Sequence, residues 1–128
     1  MTLQIPKTLE AARILVVDDE PSVLDAVKMS LEFYGHTVTT STSGTGALEA
    51  FKSGQFDLVV TDYAMPDMKG DDLAATIKAI CPTCPIIMLT AHAEMLDRES
   101  LKPIACVLSK PFLPQSLNEA ITASLKQS

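Results

Sequence analysis

No run of apolar residues in this 128-residue chain is longer than five. A membrane-spanning helix needs about 20, so no helical membrane span is expected. Cations are scarce: 10 lysines and arginines stand against 16 aspartates and glutamates, giving a net charge of -6 and a pI near 4.7. They form no cluster of the kind a phosphate backbone requires, which argues against nucleic acid as a direct partner. Cysteine is limited to three, and Met1 to Ala12 lacks the basic-then-apolar layout of a signal peptide. The expected setting is therefore reducing and cytoplasmic. Internal repeats, low-complexity tracts and linkers are missing as well. With 47% apolar residues, the chain suits one domain that buries about two thirds of its unfolded surface.

What the chain does have is a set of short apolar runs that end in polar residues. Ile14-Leu15-Val16-Val17 ends in Asp18-Asp19, Leu58-Val59-Val60-Thr61 in Asp62, Ile86-Ile87-Met88-Leu89 in Thr90, and Ala105-Cys106-Val107-Leu108-Ser109 in Lys110. Such runs read as strands buried on both faces of a parallel sheet. Helical patterns separate them. Pro21-Ser22 opens one helix, with Val23, Leu24, Val27, Leu31 and Phe33 as its apolar positions and Gly35 past its end. His36 to Thr40 reads as a second strand, and Ser43 to Lys52 as a helix stopped by Gly54. Asp71 to Ile80 reads as a helix with Leu73, Ile77 and Ile80 on one face and two acids in its first turn. His92 to Leu101 is a short, weakly patterned helix. Pro114 opens the last helix, with Leu117, Ala120, Ile121 and Leu125 inward. Five βα units with right-handed crossovers predict a doubly wound α/β sheet with helices on both faces.

Ligands of open parallel sheets collect outside the carboxyl ends of the strands. Three carboxylates, a hydroxyl and an ammonium are aimed at that one edge. Asp18, Asp19 and Asp62 brought together would repel and raise one another's pKa. Mg²⁺ resolves that repulsion, because hard carboxylate oxygens suit it and it keeps waters and an open position. The bland alternative for Asp18-Asp19 is a helix N-cap before Pro21. A metal with a free position, Lys110 and Thr90 are what a phosphoryl group needs around its oxygens. No Cys, His or Ser stands at a strand end with a positioned base, so the nucleophile is a carboxylate. Asp62, alone at the end of the central strand, is the best candidate. The Lys110-Pro111 bond can be cis, which in a tight turn would point the lysine into the site.

At these residues the chain resembles the receiver domain of two-component response regulators. The likeness runs from about Arg13 to Lys126. It rests on Ile14 to Glu20, on Asp62-Tyr63-Ala64-Met65-Pro66-Asp67-Met68-Lys69-Gly70, on Leu89-Thr90-Ala91 and on Lys110-Pro111-Phe112. The resemblance implies a CheY-like, flavodoxin-type five-stranded parallel sheet in the order 2-1-3-4-5, with the whole chain, 1–128, as a single receiver domain. It implies that Asp62 accepts a phosphoryl group from a sensor histidine kinase or phosphotransfer protein. Asp18, Asp19, Asp62 and the backbone carbonyl of Ala64 would hold Mg²⁺, Lys110 would pair with a phosphoryl oxygen, and Thr90 would move toward the phosphoryl group and hydrogen-bond it. Catalysis would extend only to the domain's own phosphorylation and dephosphorylation. The added charge of about -1.5 to -2 would bias the face built from the fourth helix, fifth strand and fifth helix toward a downstream protein or effector domain. A full swing of that equilibrium takes about 5 kcal/mol.

The chain departs from the family pattern in places. Val107 stands three before the lysine on the output face, where an aromatic residue is usual. The segment before it is short and carries Pro103, which leaves the fourth helix brief, irregular or mobile. Ala64 and His92 border the site, two residues after the acceptor and the threonine, at positions suited to tuning hydrolysis; for His92 the plainer reading is a solvated loop histidine. Cys81-Pro82-Thr83-Cys84 supplies only two metal ligands. It ends a helix, whereas a thioredoxin-like motif opens one, so it reads as structural, at the sheet edge opposite the acids. Cys106 reads as core. The run Ser41 to Gly46 lacks the lysine of a P-loop and reads as a helix cap. Two rival functions fit these residues less well. A phosphorylation-independent docking module would have no use for all of Asp18, Asp19, Asp62, Thr90 and Lys110. An Asp-nucleophile phosphatase acting on other molecules normally wants an acid where Ala64 stands.

Overall fold

Alternating aliphatic runs and amphipathic segments produce five parallel strands and the helices that cross between them. The structure, a computed structural model, describes residues 11–127. The stretch Met1 to Glu10, part of the segment read for an export signal, lies outside the described residues, as does Ser128. In chain order the elements are β1 (Arg13–Val17), α1 (Pro21–Phe33), β2 (Thr37–Ser41), α2 (Gly44–Ser53), β3 (Leu58–Asp62) and α3 (Gly70–Ile80), followed by β4 (Ile86–Thr90), a 3₁₀ turn (Ala93–Met95), α4 (Arg98–Leu101), β5 (Cys106–Ser109) and α5 (Pro114–Gln127). The sheet order is β2-β1-β3-β4-β5. No helix among the described residues is long and apolar enough to cross a membrane.

Strand residues alternate between two cores, because successive side chains leave opposite faces. Ile14, Val16, Val60, Ile87 and Leu89 pack with Leu24, Val27 and Leu31 of α1 and with Leu117 and Ile121 of α5. Leu15, Val17, Val59 and Ile86 pack on the other face with Ala47 and Phe51 of α2 and with Leu73, Ala74 and Ile77 of α3. Each fully buried Leu or Ile contributes about 1.5–3 kcal/mol. Register then sets the site: Val17 lies level with Ser41 and Thr61, Asp62 with Leu89, and Thr90 with Ser109. The strands therefore end together.

Several expectations need correction. Phe33 is 84% exposed; it lies two residues past Leu31, about 200° around the helix from the buried stripe. Ile80 is 45% exposed and borders an open groove beside Phe51 and Phe56 rather than the sheet. The expected helix from His92 to Leu101 is two separate turns. Met95 is exposed and the 3₁₀ turn has no buried residue, so no apolar face holds a continuous helix together. His36 precedes β2 and Ala105 precedes β5. Cys106 is half-buried against the α1–α5 core rather than fully inside it.

Candidate functional site

Asp18 leaves β1 fully buried, its N–H donating to the Ser41 carbonyl at 3.1 Å. One carboxylate oxygen accepts from the Glu20 N–H at 3.0 Å, which turns the chain toward α1. The N-cap position of α1 belongs to Glu20, with no side-chain cap. Neither Asp18 nor Asp19 serves as that cap, and the bland account of the pair falls away.

Asp62 closes β3 and is 7% exposed. The chain leaves it through tight backbone contacts: the Tyr63 N–H donates to the Leu89 carbonyl at 2.9 Å, and the Gly70 N–H to the Tyr63 carbonyl at 2.8 Å. A Cβ on Gly70 would stand 2.5 Å from the Asp62 carbonyl oxygen and 2.9 Å from the Tyr63 Cα. Glycine is what lets α3 start this close to the end of β3.

Lys110 enters from the end of β5, its N–H donating to the Thr90 carbonyl at 2.8 Å, and the Lys110-Pro111 peptide is cis. Its ammonium lies 3.1 Å from the Asp18 Oδ2 and 3.1 Å from the Asp62 Oδ1. Carboxylate oxygens of Asp18, Asp19 and Asp62 all fall within 4.8 Å of one another. Two of the three acids thus share one ammonium. Burial raises the Asp62 carboxyl above its ordinary value and the Asp18 charge adds to this, outweighing Lys110. Burial alone would lower the Lys110 ammonium, but its hydrogen bonds to Asp62 and Asp18 raise it. Surplus negative charge on hard oxygens, Asp19 being more open than the other two, is a donor set that fits a divalent cation such as Mg²⁺.

Thr90 is 5% exposed, and its Oγ1 accepts from the His92 N–H at 3.1 Å. A cleft of about 530 Å³ runs beside it, lined by Asp62, Ala64, Thr90, His92, Met95 and Lys110 among others. His92 and Ala64 are both exposed at its rim. Pro111 does not line this cleft; it lines a separate groove together with Val23 and Ala26 of α1. Val107 is half-buried in β5 beside Met88 of β4, outside the residues that line the cleft. All five charged and hydroxyl residues singled out from sequence thus meet at one edge, whereas Pro111 and Val107 do not line the cleft.

One contributor escaped the sequence reading. The Asp67 carboxylate accepts from the Gly44 N–H (3.1 Å), the Thr45 N–H (2.9 Å) and the Thr45 hydroxyl (2.9 Å). These bonds hold its carboxyl below the ordinary range and tie the loop after Asp62 to the start of α2. Met68 fills the space above Gly44. The partners are 22 and 23 residues apart in sequence, so no local spacing announces them. Within α2, Ser43 is the N-cap, its side chain accepting from the Gly46 N–H, as the cap reading expects.

Comparison with known proteins places this geometry. Residues 14–122 match the family model described as the response regulator receiver domain. The transcriptional regulatory protein GlrR of Escherichia coli (strain K12) is 34% identical over 119 residues, covering 91% of this chain and 27% of that protein. The alkaline phosphatase synthesis transcriptional regulatory protein PhoP of Bacillus subtilis (strain 168) is 32% identical over 118 residues, covering 91% and 49%. The chain thus spans between about a quarter and a half of the length of these relatives. Among solved structures, a response regulator receiver domain protein from Clostridium thermocellum superposes with a TM-score of 0.85 at 34% identity, covering 91% of this chain and 95% of that one. The response regulator TrrA of Thermotoga maritima, in complex with Mg²⁺-BeF, gives 0.83 at 34% identity, covering 88% and 97%.

Proposed function

This chain belongs to the response regulator receiver domain family, and from that premise we propose that it is a phosphoryl-accepting switch with Asp62 as the acceptor. The observation that carries the proposal is the cluster itself: Asp62 at the end of the central strand, within 4.8 Å of two further carboxylates and bonded to Lys110. An Asp62 carboxylate oxygen forms the new P–O bond as the P–N bond of a donor phosphohistidine breaks, and the histidine leaves with the bonding pair. Asp18, Asp19, Asp62 and the Ala64 carbonyl are the residues that would hold Mg²⁺. When bound, the ion neutralises charge on the transferring phosphoryl group. Lys110, now shared between two carboxylates, turns to a phosphoryl oxygen. The Thr90 hydroxyl keeps a proton to donate to another while its oxygen holds the His92 N–H.

The donor is a sensor histidine kinase or a phosphotransfer protein, and the recipient of the signal is a downstream protein or effector domain. The chain works as a single cytoplasmic receiver domain, with no direct hold on nucleic acid and no catalysis beyond its own phosphorylation and dephosphorylation. Readout lies with the broken α4 region and β5, where Val107 is too small to act as an aromatic rotamer switch. Titration with beryllofluoride and Mg²⁺, followed by amide NMR, tests the reading. Shifts centred on Asp62, Thr90 and Lys110 that require both components and vanish in Asp62→Asn are expected. Shifts that ignore the substitution would overturn it.

A further inference from the structure

The Cys-Pro-Thr-Cys segment sits at the far edge of the sheet from Asp62, and the phosphoacceptor chemistry makes no use of it. Cys81 is the C-cap of α3, its N–H donating to the Ile77 carbonyl at 2.7 Å, and Cys84 leads into β4. The Cys84 N–H donates to the Cys81 carbonyl at 3.2 Å with Pro82 and Thr83 as the turn between them. A hydrogen-bonded turn of four residues holds its end Cα atoms within about 7 Å, and a disulfide spans Cα separations of about 4.4–6.8 Å. Both side chains enter the same apolar cluster between α3 and the sheet, Cys84 buried within it and Cys81 packed against it. Both thiols are free.

We propose that Cys81 and Cys84 are a reversible oxidation site, closing to an intramolecular disulfide by exchange with a low-molecular-weight disulfide. Cys81 is the more accessible of the two, with Cys84 only 3% exposed. A cleft of about 500 Å³ lined by Phe56, Asp57, Cys81, Thr83, Cys84 and Lys126 gives an oxidant access. The Cys81 thiolate attacks one sulfur of the oxidant, whose S–S bond breaks and whose second half leaves as a thiolate. Cys84 then gives its proton to solvent and attacks the Cys81 sulfur, expelling the other half as a thiolate. Two protein thiols lose two electrons in all, and one small disulfide becomes two small thiols.

Burial pushes the Cys84 thiol up to about 11, with Cys81 adding to the rise. That order of reactivity suits Cys84 as the second, resolving nucleophile, reached only after Cys81 has been captured. Placement at a helix C-terminus is what separates this pair from a thioredoxin-like catalyst, which gains its low pKa from a helix N-terminus. The pair is therefore a target of oxidants and not a dispenser of disulfides.

The test incubates the full chain with oxidised glutathione, denatures it, and counts the remaining thiols as N-ethylmaleimide adducts by intact mass. The three cysteines should take three adducts before oxidation and one after it, with the survivor mapped to Cys106. Dithiothreitol should restore three. Cys106→Ser should fall from two adducts to none, and this variant leaves the turn untouched, so it guards against a folding defect elsewhere. Cys84→Ala, shown to be folded by circular dichroism, should stop as a stable glutathione adduct on Cys81. Retention of three adducts by the native chain, a mixed disulfide that never resolves, or loss of Cys106 in place of the pair would each overturn the proposal.

Discussion

Replacing Asp62 by Asn should make the metal-free protein more stable, although it removes the residue on which the proposed function depends. The reasoning is electrostatic. Asp18 and Asp19 lie within 4.8 Å of Asp62, and at an effective dielectric of about 20 each repels it by about 3.5 kcal/mol or more. Lys110, at 3.1 Å, attracts it by about 5.4 kcal/mol on the same scale. Asp19 is partly open to solvent, which weakens its share, but the cost of burying the Asp62 charge acts in the same direction. Asn keeps the shape, keeps an oxygen for Lys110, and leaves the ammonium bound to Asp18. A gain of about 1–3 kcal/mol follows, or about 4–12 °C in Tm for a domain of this size. Acid dependence supplies a second signature. The folded-state pKa of Asp62 lies above its ordinary 3.8, so between those values the native chain holds a proton that the unfolded chain has lost. Wild-type stability therefore falls as pH rises through that window, and the penalty is complete above it. The advantage of the Asn variant should grow over the same window and then level off. Saturating Mg²⁺ should narrow it, because a ligand at 100 times its Kd adds about 2.7 kcal/mol to the form that binds it. Thermal unfolding across pH, with and without Mg²⁺, measures all three effects. An Asn variant less stable than wild type at neutral pH without metal would refute the reasoning.

Gly70→Ala should cost about 2 kcal/mol or more, because its Cβ meets backbone atoms of Asp62 and Tyr63 at 2.5 and 2.9 Å and overpacking against backbone finds little relief; urea unfolding checks this, and an unchanged midpoint would contradict it. The buried His36 ring lies 3.1 Å from the Ala12 N–H, which can only donate, and 3.0 Å from the Asn118 Oδ1, so nitrogen-15 NMR should find the neutral Nε2–H tautomer. His36→Leu leaves that amide without its acceptor and should cost about 1–3 kcal/mol. Asp67 and Asp62 should titrate on opposite sides of 3.8, Asp67 below and Asp62 above. The Asp67 contribution to stability is present above the ordinary value and lost as pH falls through its depressed one, the reverse of Asp62. Carbon-detected NMR titration reads both, and a shared midpoint would contradict the geometry.

The βα alternation and the meeting of five site residues were legible because each rests on a strong local signal: an apolar run, a polar residue at its end, and a turn or helix start after it. The strand order came only with the family resemblance. Residues whose fate depends on what the fold sets beside them were harder. Phe33 and Ile80 look like core residues in a one-dimensional pattern, yet one points off the back of α1 and the other opens onto a groove. The stretch from Ala93 to Leu101 carries enough helix formers to suggest one helix, but no apolar face to dock it. Asp67 and His36 act on residues 22 and 24 positions away, and only the tertiary structure brings them together. Pro111 follows the same logic: sequence adjacency to Lys110 said nothing about whether it lines the cleft.

The most direct test of the central claim is intact mass after incubation with acetyl phosphate, with and without Mg²⁺, on this chain and on Asp62→Asn. A single metal-dependent phosphoryl adduct that is absent from the variant is the predicted result. No adduct under any condition on a folded chain would contradict Asp62 as the phosphoryl acceptor and favour a receiver-shaped docking module in its place, and an adduct that survives the substitution would move the acceptor to another residue.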